Sequence, residues 1–332
     1  MVKVGINGFG RIGRLALRII LEKYGDQIEV PIVNTSGRMD SVGSAHMFEF
    51  DTAYGRFSKP VTTDGDFMVV DGKKIMISAC REPEKIPWGD YGVEVVLEST
   101  GAFVTAEDMQ KHLRDSVRQV ILSAPAKGGD VATVVLGVNT EDGKGKQLIS
   151  NASCTTNCIA PVVKVIEDKI GIAKAAMTTI HAYTGDQELQ DGSHKDLRRA
   201  RAAACNTVPT STGAAKAVSL VIPAMKGIFD GIAVRVPVIT GSFTDLTFVT
   251  KREVTVEEVN QVLTDAANSP ELENYLGVTT KPIVSSDVIG FEGSSLVDLS
   301  LTQVIGGDLV KVYAWYDNEW GYANRLVEQV LI

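Results

Sequence analysis

The run Gly8-Phe-Gly-Arg-Ile-Gly13 sets three glycines between a short apolar stretch, Val2 to Asn7, and an amphipathic one whose apolar residues Leu15, Leu17, Ile19, Ile20 and Leu21 continue to about Lys23. A second strand is predicted at Ile28 to Asn34, which completes a βαβ unit of about 30 residues. In that setting each glycine has its own task. Gly8 permits the tight turn, Gly10 lets the backbone approach a pyrophosphate, and Gly13 lets the helix pack on the strand. The N–H groups of Arg11 and Ile12 at the helix start would hold the pyrophosphate. A GxGxxG match alone is weak; between a strand and a helix it reads as a dinucleotide site. Pro31 is out of place in the second strand, because it removes a ladder donor.

The rest of the first half alternates strands and helices. Phe67 to Val70 and Lys74 to Ser78, joined by Asp71-Gly72, read as a hairpin inserted in the sheet. Further strands are predicted at Val93 to Glu98, Gln119 to Ser123 and Thr133 to Val138, with a helix from about Ala106 to Leu113. The fold class is therefore α/β, a Rossmann-type doubly wound parallel sheet. After Asn157 the pattern changes to longer alternating strands, at Ala175 to His181, Gly231 to Ile239, Thr244 to Thr250, Ser295 to Gln303 and Leu309 to Tyr316. Helical stretches fall near Ala214 to Val221 and Val256 to Ala266, so an α+β catalytic domain with a mainly antiparallel sheet is expected. Trp320 to Ile332 reads as a helix that docks back on the first domain. A polar, basic segment from Tyr183 to Pro209 is long for a structureless loop, and such loops are functional or interfacial.

At 332 residues and 44% hydrophobic, the chain suits two domains. Its net charge of −8 argues against nucleic acid or an anionic membrane as a partner. Four cysteines, Cys80, Cys154, Cys158 and Cys205, make no disulfide framework and no CxxC pairs. With only four histidines beside them, no metal site is expected. The chain enters a strand-like run at once and has no stretch of about 18 apolar residues, which reads as a cytoplasmic protein without a membrane span.

At the end of the second strand, about 20 residues past the glycines, a carboxylate normally takes the ribose hydroxyls of NAD. Here the chain reads Asn34-Thr35-Ser36-Gly37-Arg38, with no carboxylate before Asp40. Nothing there repels a 2′-phosphate; Thr35 and Ser36 can donate to one and Arg38 can pair with it. The cofactor is thus read as NAD(P), with NADP or dual use favoured over strict NAD.

Ser153-Cys154-Thr155-Thr156-Asn157 places a thiol among hydroxyl and amide side chains where an apolar run with helical spacing begins. Helix N-termini lower a cysteine's pKa and hold oxyanions. A cysteine nucleophile needs a base. Among His46, His112, His181 and His194, His181 is the best placed, because it ends an apolar strand. His46 and His112 are read as surface residues on or beside charged helices. Thr212-Gly213 stands at another helix start, and Arg235 interrupts the apolar strand Ile232 to Pro237, so its charge needs a partner.

INGFGRIGR, SNASCTTNC, HAYTGDQ, HKDLRRARAAA, PTSTGAAKA and WYDNEWGY occur in this order along the chain, which closely resembles phosphorylating glyceraldehyde-3-phosphate dehydrogenase (type I) over essentially its whole length. The resemblance implies a nucleophilic Cys154 activated by His181. It implies that glyceraldehyde 3-phosphate presents its phosphate to Thr184, Arg199 and Arg235, while inorganic phosphate meets Ser153, Thr155, Thr212 and Gly213. Asn318 would hold the nicotinamide carboxamide, with Arg81 and Ser123 in the cofactor cleft. The domains expected are 1–152, with 318–332 returning to it, and 153–317. Residues 183–209 look like the family's S-loop, which lines a neighbour's cofactor site in a homotetramer. Family members that use NAD usually carry aspartate at the place of Thr35 and leucine-proline at the place of Gly192-Ser193; both departures point to NADP. Val238-Ile-Thr-Gly-Ser242 also departs from the commoner wording, without a consequence visible in sequence. Erythrose-4-phosphate dehydrogenase, with the same thiol chemistry, and a non-catalytic nucleotide-binding or adhesion protein on this fold are the alternatives.

Overall fold

A computed structural model describes residues 1–332, which divide into two compact units. The first comprises Met1–Val134, Thr140–Ala152 and Ala323–Ile332; the second comprises Val135–Asn139 and Ser153–Tyr322.

The first unit is built on a nine-stranded sheet. Its parallel part runs in the order Ala132–Thr133, Leu148–Ser150, Gln119–Leu122, Val95–Glu98, Val2–Asn7, Ile28–Asn34, Lys73–Ser78. Strand order reverses on either side of Val2–Asn7, the arrangement that opens a ligand crevice at the carboxyl ends of the strands. Pro31 finds its place at an irregularity: Lys3 pairs with Glu29 and Gly5 with Ile32, so the second strand carries one extra residue where the proline stands. The hairpin caps an edge of the sheet rather than interrupting it, and Asp71 and Gly72 both have positive φ, as a two-residue hairpin turn requires. The strand expected over Thr133 to Val138 is cut to Ala132–Thr133, since the chain turns at Gly137 with φ +81. A helix over Ser41–Glu49 was not visible in the sequence pattern.

The second unit holds an eight-stranded sheet. Along its main path run Val208–Ser211, Phe229–Val236, Ile172–Ala182, Ser242–Thr250, Leu309–Tyr316, Ser295–Asp298 and Leu276–Thr279. Five pairings, including that of the side strand Gln303–Ile305, are antiparallel and two are parallel. The run Ser295 to Gln303 is not one strand: Leu299–Leu301 forms a turn of 3₁₀ helix that breaks it. The polar segment 183–209 ends in the strand Val208–Ser211 rather than in a helix start. Helix Cys154–Lys169 buries Cys158, Ile159, Val162, Val163 and Ile166 within this unit.

The C-terminal helix, Trp320–Glu328, begins in the second unit, because Asp317 accepts from the Glu319 and Trp320 N–H groups and ties its first turn to strand Leu309–Tyr316. From Ala323 onward the chain belongs to the first unit, where Lys23 donates to Asn324 and Gln329 donates to Asn151. The handover between the two compact units thus lies between Tyr322 and Ala323.

Candidate active site

In the first unit the three glycines of the turn meet different surroundings. A Cβ on Gly8 would lie 2.7 Å from the Ser99–Thr100 backbone, and Gly8 has φ +96. A Cβ on Gly13 would lie 2.1 Å from the Gly8 carbonyl oxygen, so only glycine lets the helix sit on the strand. Gly10 faces open space, with no heavy atom within 4 Å of a built Cβ, and it offers no side-chain cap to the helix Arg11–Lys23. Gly8 and Gly10 line a cavity of about 570 Å³ together with Asn34, Thr35, Ser36, Arg38 and Arg81. These residues fit a dinucleotide: bare backbone at a helix N-terminus for the pyrophosphate, beside a crevice at the strand ends.

Arg11, Ile12, Gly13 and Ser123 do not line that cavity; the Arg11 guanidinium pairs with Asp51, and Ser123 stands half-buried past the end of its strand. Thr35 is not the free donor the sequence suggested. Its hydroxyl donates to the Ser78 carbonyl at 3.2 Å and accepts from the Gly37 N–H, whereas Ser36 and Arg38 are exposed. Beneath the cavity lies a polar chain the sequence did not reveal. Asn34 donates to Asn7 at 2.8 Å, Asn7 donates to Glu98 at 2.5 Å, and the fully buried Glu98 also meets His112. His112 is therefore a core residue and not a surface one, with no exposed area.

In the second unit Cys154 is the first residue of its helix. Ala152, two residues earlier and the last residue of its segment of the first unit, has φ +53, a left-handed conformation uncommon for alanine, and Ser153 caps the helix by accepting from the Thr156 N–H. The Cys154 Sγ lies 3.4 Å from His181 Nε2. His181 Nδ1 is 2.6 Å from the Ala182 carbonyl oxygen, which can only accept, so Nδ1 carries the ring proton and Nε2 presents its lone pair to the thiol. Burial holds the imidazole pKa down to about 3, with the Arg235 guanidinium acting the same way. Burial pushes the Cys154 thiol up, opposed by Arg235 and by the Thr155 N–H. Both directions favour a neutral pair at rest: a thiol beside an unprotonated base.

Arg235 Nη1 donates to the Thr184 hydroxyl at 2.7 Å and to the Ala182 carbonyl, which sets Thr184, His181 and Arg235 side by side. Arg199 donates to Asp186 at 2.5 Å, to the Thr210 hydroxyl and to the Ser211 carbonyl. Asp186, inside the HAYTGDQ run, is thus the resident counter-charge of this arginine. Burial pushes its carboxyl up, but the Thr184 hydroxyl, Arg235 and Arg199 prevail and hold it below the usual carboxylate range. Thr212 and Gly213 stand at the start of helix Ala214–Val221, where the Thr212 hydroxyl accepts from the Ala214 N–H. Thr155 is buried and its hydroxyl is committed to Tyr316 at 2.9 Å. Tyr316 also meets Thr179 at 2.8 Å and stacks edge-on to His181, a role with no sequence signal beyond its place in a strand. Ser193 is exposed on loop 183–209, which is braced by Glu188–Arg199, Gly192–Ala200 and Ala203–Glu188 backbone bonds. Asn318 is 5% exposed, and its Oδ1 accepts from the Ser242 hydroxyl and the Gly241 N–H. No group of metal-ligating side chains occurs, and no helix is long and apolar enough to cross a membrane.

A dinucleotide-type unit, and a second unit carrying a thiol–imidazole pair beside basic side chains, are the combination expected of a dehydrogenase. Comparison with known proteins agrees. Residues 2–106 match the family model described as glyceraldehyde 3-phosphate dehydrogenase, NAD binding domain, and residues 153–318 match its C-terminal domain. The chain is 52% identical over 329 residues to glyceraldehyde-3-phosphate dehydrogenase 2 of Streptomyces avermitilis, covering 98% of this chain and 97% of the relative. It is 52% identical over 335 residues to glyceraldehyde-3-phosphate dehydrogenase of Mycobacterium bovis, covering 100% and 98%, and 49% identical over 328 residues to that of Zymomonas mobilis, covering 98% and 97%. The chain belongs to the glyceraldehyde-3-phosphate dehydrogenase family; it is an oxidoreductase with a nicotinamide-dinucleotide-binding domain.

Proposed function

We propose that this protein reversibly oxidises D-glyceraldehyde 3-phosphate to 1,3-bisphosphoglycerate through a thioester on Cys154. The observation that carries the reading is the 3.4 Å approach of Cys154 Sγ to a His181 Nε2 whose ring proton is committed to Ala182 on the other side. As the sulfur attacks the aldehyde carbon, Nε2 takes the thiol proton, and the imidazolium with the backbone N–H at the helix start stabilises the oxyanion. The dinucleotide, when bound, would supply the acceptor for the hydride that carbon loses as the adduct becomes the thioester; the backbone at Gly8 and Gly10 would hold its pyrophosphate and Asn318 its carboxamide. Inorganic phosphate then attacks the thioester carbon and returns the sulfur to the thiolate, so the acyl group leaves as an acyl phosphate. Thr184, Arg199 and Arg235 take the C3 phosphate. Ser153, Thr212, Gly213 and the backbone of Thr155 take the attacking phosphate.

Cofactor preference leans to NADP or dual use. With the Thr35 hydroxyl committed to Ser78, the exposed Ser36 and Arg38 at the cavity carry that preference. Loop 183–209 exposes Leu189 and Leu197 at 80% each, and large bare apolar groups of this kind support a homotetramer in which the loop meets a neighbour. The enzyme is read as cytoplasmic.

Steady-state oxidation of glyceraldehyde 3-phosphate, with NAD and NADP each in the presence and absence of inorganic phosphate, tests the reading. Phosphate-dependent turnover is expected; turnover indifferent to phosphate overturns the acyl-phosphate product. Equal or better efficiency with NAD overturns the cofactor preference alone.

A further inference from the structure

The segment Val238 to Ser242, without consequence in the sequence, acquires one in the fold. Ser242 is fully buried, and its hydroxyl accepts from the Ala182 N–H at 3.1 Å while its single proton goes to Asn318 Oδ1 at 2.8 Å. The Gly241 N–H, which can only donate, reaches the same oxygen at 3.2 Å. Gly241 has φ +89, and a Cβ there would lie 2.2 Å from the Ser285 carbonyl oxygen, so this backbone donor is fixed in place. The Thr240 hydroxyl lies 3.3 Å from Asn318 Oδ1 but nearer, at 3.0 Å, to Asp317. Asn318 Oδ1 is therefore fully occupied, and the amide cannot turn over without aiming its NH₂ at the Gly241 donor.

We infer that Ser242 is a positioning residue that, with the Gly241 N–H, locks the Asn318 amide so that it offers only N–H donors to its ligand. This rests on the reading of Asn318 as the carboxamide contact. The ligand atom met by Asn318 is then an acceptor, the carboxamide oxygen, and the carboxamide NH₂ makes no contact with Asn318. Ser242 also bonds the residue next to His181, so one buried hydroxyl sets both the base strand and the asparagine.

The test uses calorimetric binding, not turnover, with three dinucleotides: NAD, its 3-acetylpyridine analogue, which keeps the oxygen and lacks the NH₂, and its thionicotinamide analogue, which keeps the NH₂ and replaces the oxygen by sulfur. In the native protein the acetylpyridine form binds better than the thioamide form. In Ser242→Ala the amide is released to turn, so that preference shrinks by at least about threefold, the worth of one net hydrogen bond. An unchanged ratio in a variant that melts as a folded protein overturns the inference. If Ser242→Ala does not fold, the near-isosteric Ser242→Cys, whose S–H is a much weaker donor to Asn318 Oδ1, takes its place with a smaller shift in the same direction; no shift there overturns it as well. Asn318→Ala separates the two readings: if it leaves NAD affinity intact, the carboxamide role fails, whereas weakened NAD binding with an unmoved analogue ratio in Ser242→Ala defeats only the lock.

Discussion

His112 and His181 are both buried, at 0% and 3% exposure, and both ring nitrogens of each have a partner, yet the two sites are built for opposite ends. Around His112 every neighbour completes the ring. The Trp88 indole N–H, which can only donate, points at Nδ1 from 3.1 Å, so Nε2 carries the proton and meets Glu98 at 3.2 Å. Glu98 in turn accepts from Asn7 and from the Thr100 N–H. Around His181 only Nδ1 is met by a backbone group, and Nε2 is left facing a thiol that can give its proton away. Arg235 sits beside that ring, while no cation sits on His112. A buried histidine surrounded by fixed donors and acceptors is structure; one with a lone pair aimed at a transferable proton is chemistry.

The widest separation between the two comes from deleting the groups themselves. Cys154→Ser replaces the thiol by a far weaker acid and nucleophile and is expected to lower kcat by more than about 10⁴-fold, with dinucleotide affinity retained in calorimetry. His181→Asn is expected to slow acylation by about 10²–10⁴-fold, read as the pre-steady-state burst, and an unchanged burst removes His181 from the mechanism. His112→Phe reverses the pattern. It orphans the Trp88 N–H and takes a partner from Glu98, so about 3 kcal/mol of unfolding free energy in urea is expected to go. Turnover at saturating dinucleotide stays essentially native. A large fall in kcat would put His112 on the chemical side and break the comparison.

Acid sharpens it. Because burial holds the folded His181 pKa at about 3, below the 6.5 of an unfolded histidine, the unfolded chain binds the proton first. The stability associated with neutral His181 is complete above pH 6.5 and is lost as pH falls from there towards 3. At pH 5 the native protein should have lost on the order of 2 kcal/mol that His181→Asn does not lose. Parallel urea titrations of the two proteins at pH 7 and 5 read this directly; parallel losses would mean that His181 is less enclosed than the fold suggests.

The sequence carried one of these histidines and hid the other, for physical reasons. His181 ends a long apolar strand next to a motif, and both strand and motif are local patterns. The sequence presents His112 as exposed, because Ala106 to Leu113, with its acidic residues and Lys111, has the pattern of one charged helix. The helix stops at Gln110, so a helical wheel does not apply to His112, and its partners Trp88 and Glu98 come from other elements of the chain. The same holds elsewhere. The glycine turn and the Ser153 cap were readable because their causes lie within a few residues, as was helix Ala214–Val221. The commitment of Thr35 to Ser78, of Thr155 to Tyr316 and of Asn318 to Ser242 was not, since each joins residues 43 or more apart.

The finest test removes one hydrogen from the His112 side. Trp88→Phe keeps an aromatic ring in the core that also holds Val93, Val96, Met109 and Val120, but strips the donor from His112 Nδ1. A nitrogen lone pair then lies buried without its partner, which should cost about 1 kcal/mol beyond the loss of ring area, with the catalytic burst untouched. Because ring size changes too, the single variant does not isolate the bond; a cycle with His112→Phe does. If the Trp88–His112 bond contributes as the geometry implies, the double variant loses about 1 kcal/mol less than the sum of the singles. Strict additivity would mean that the indole and the imidazole merely lie close, and His112 would then be held by Glu98 alone.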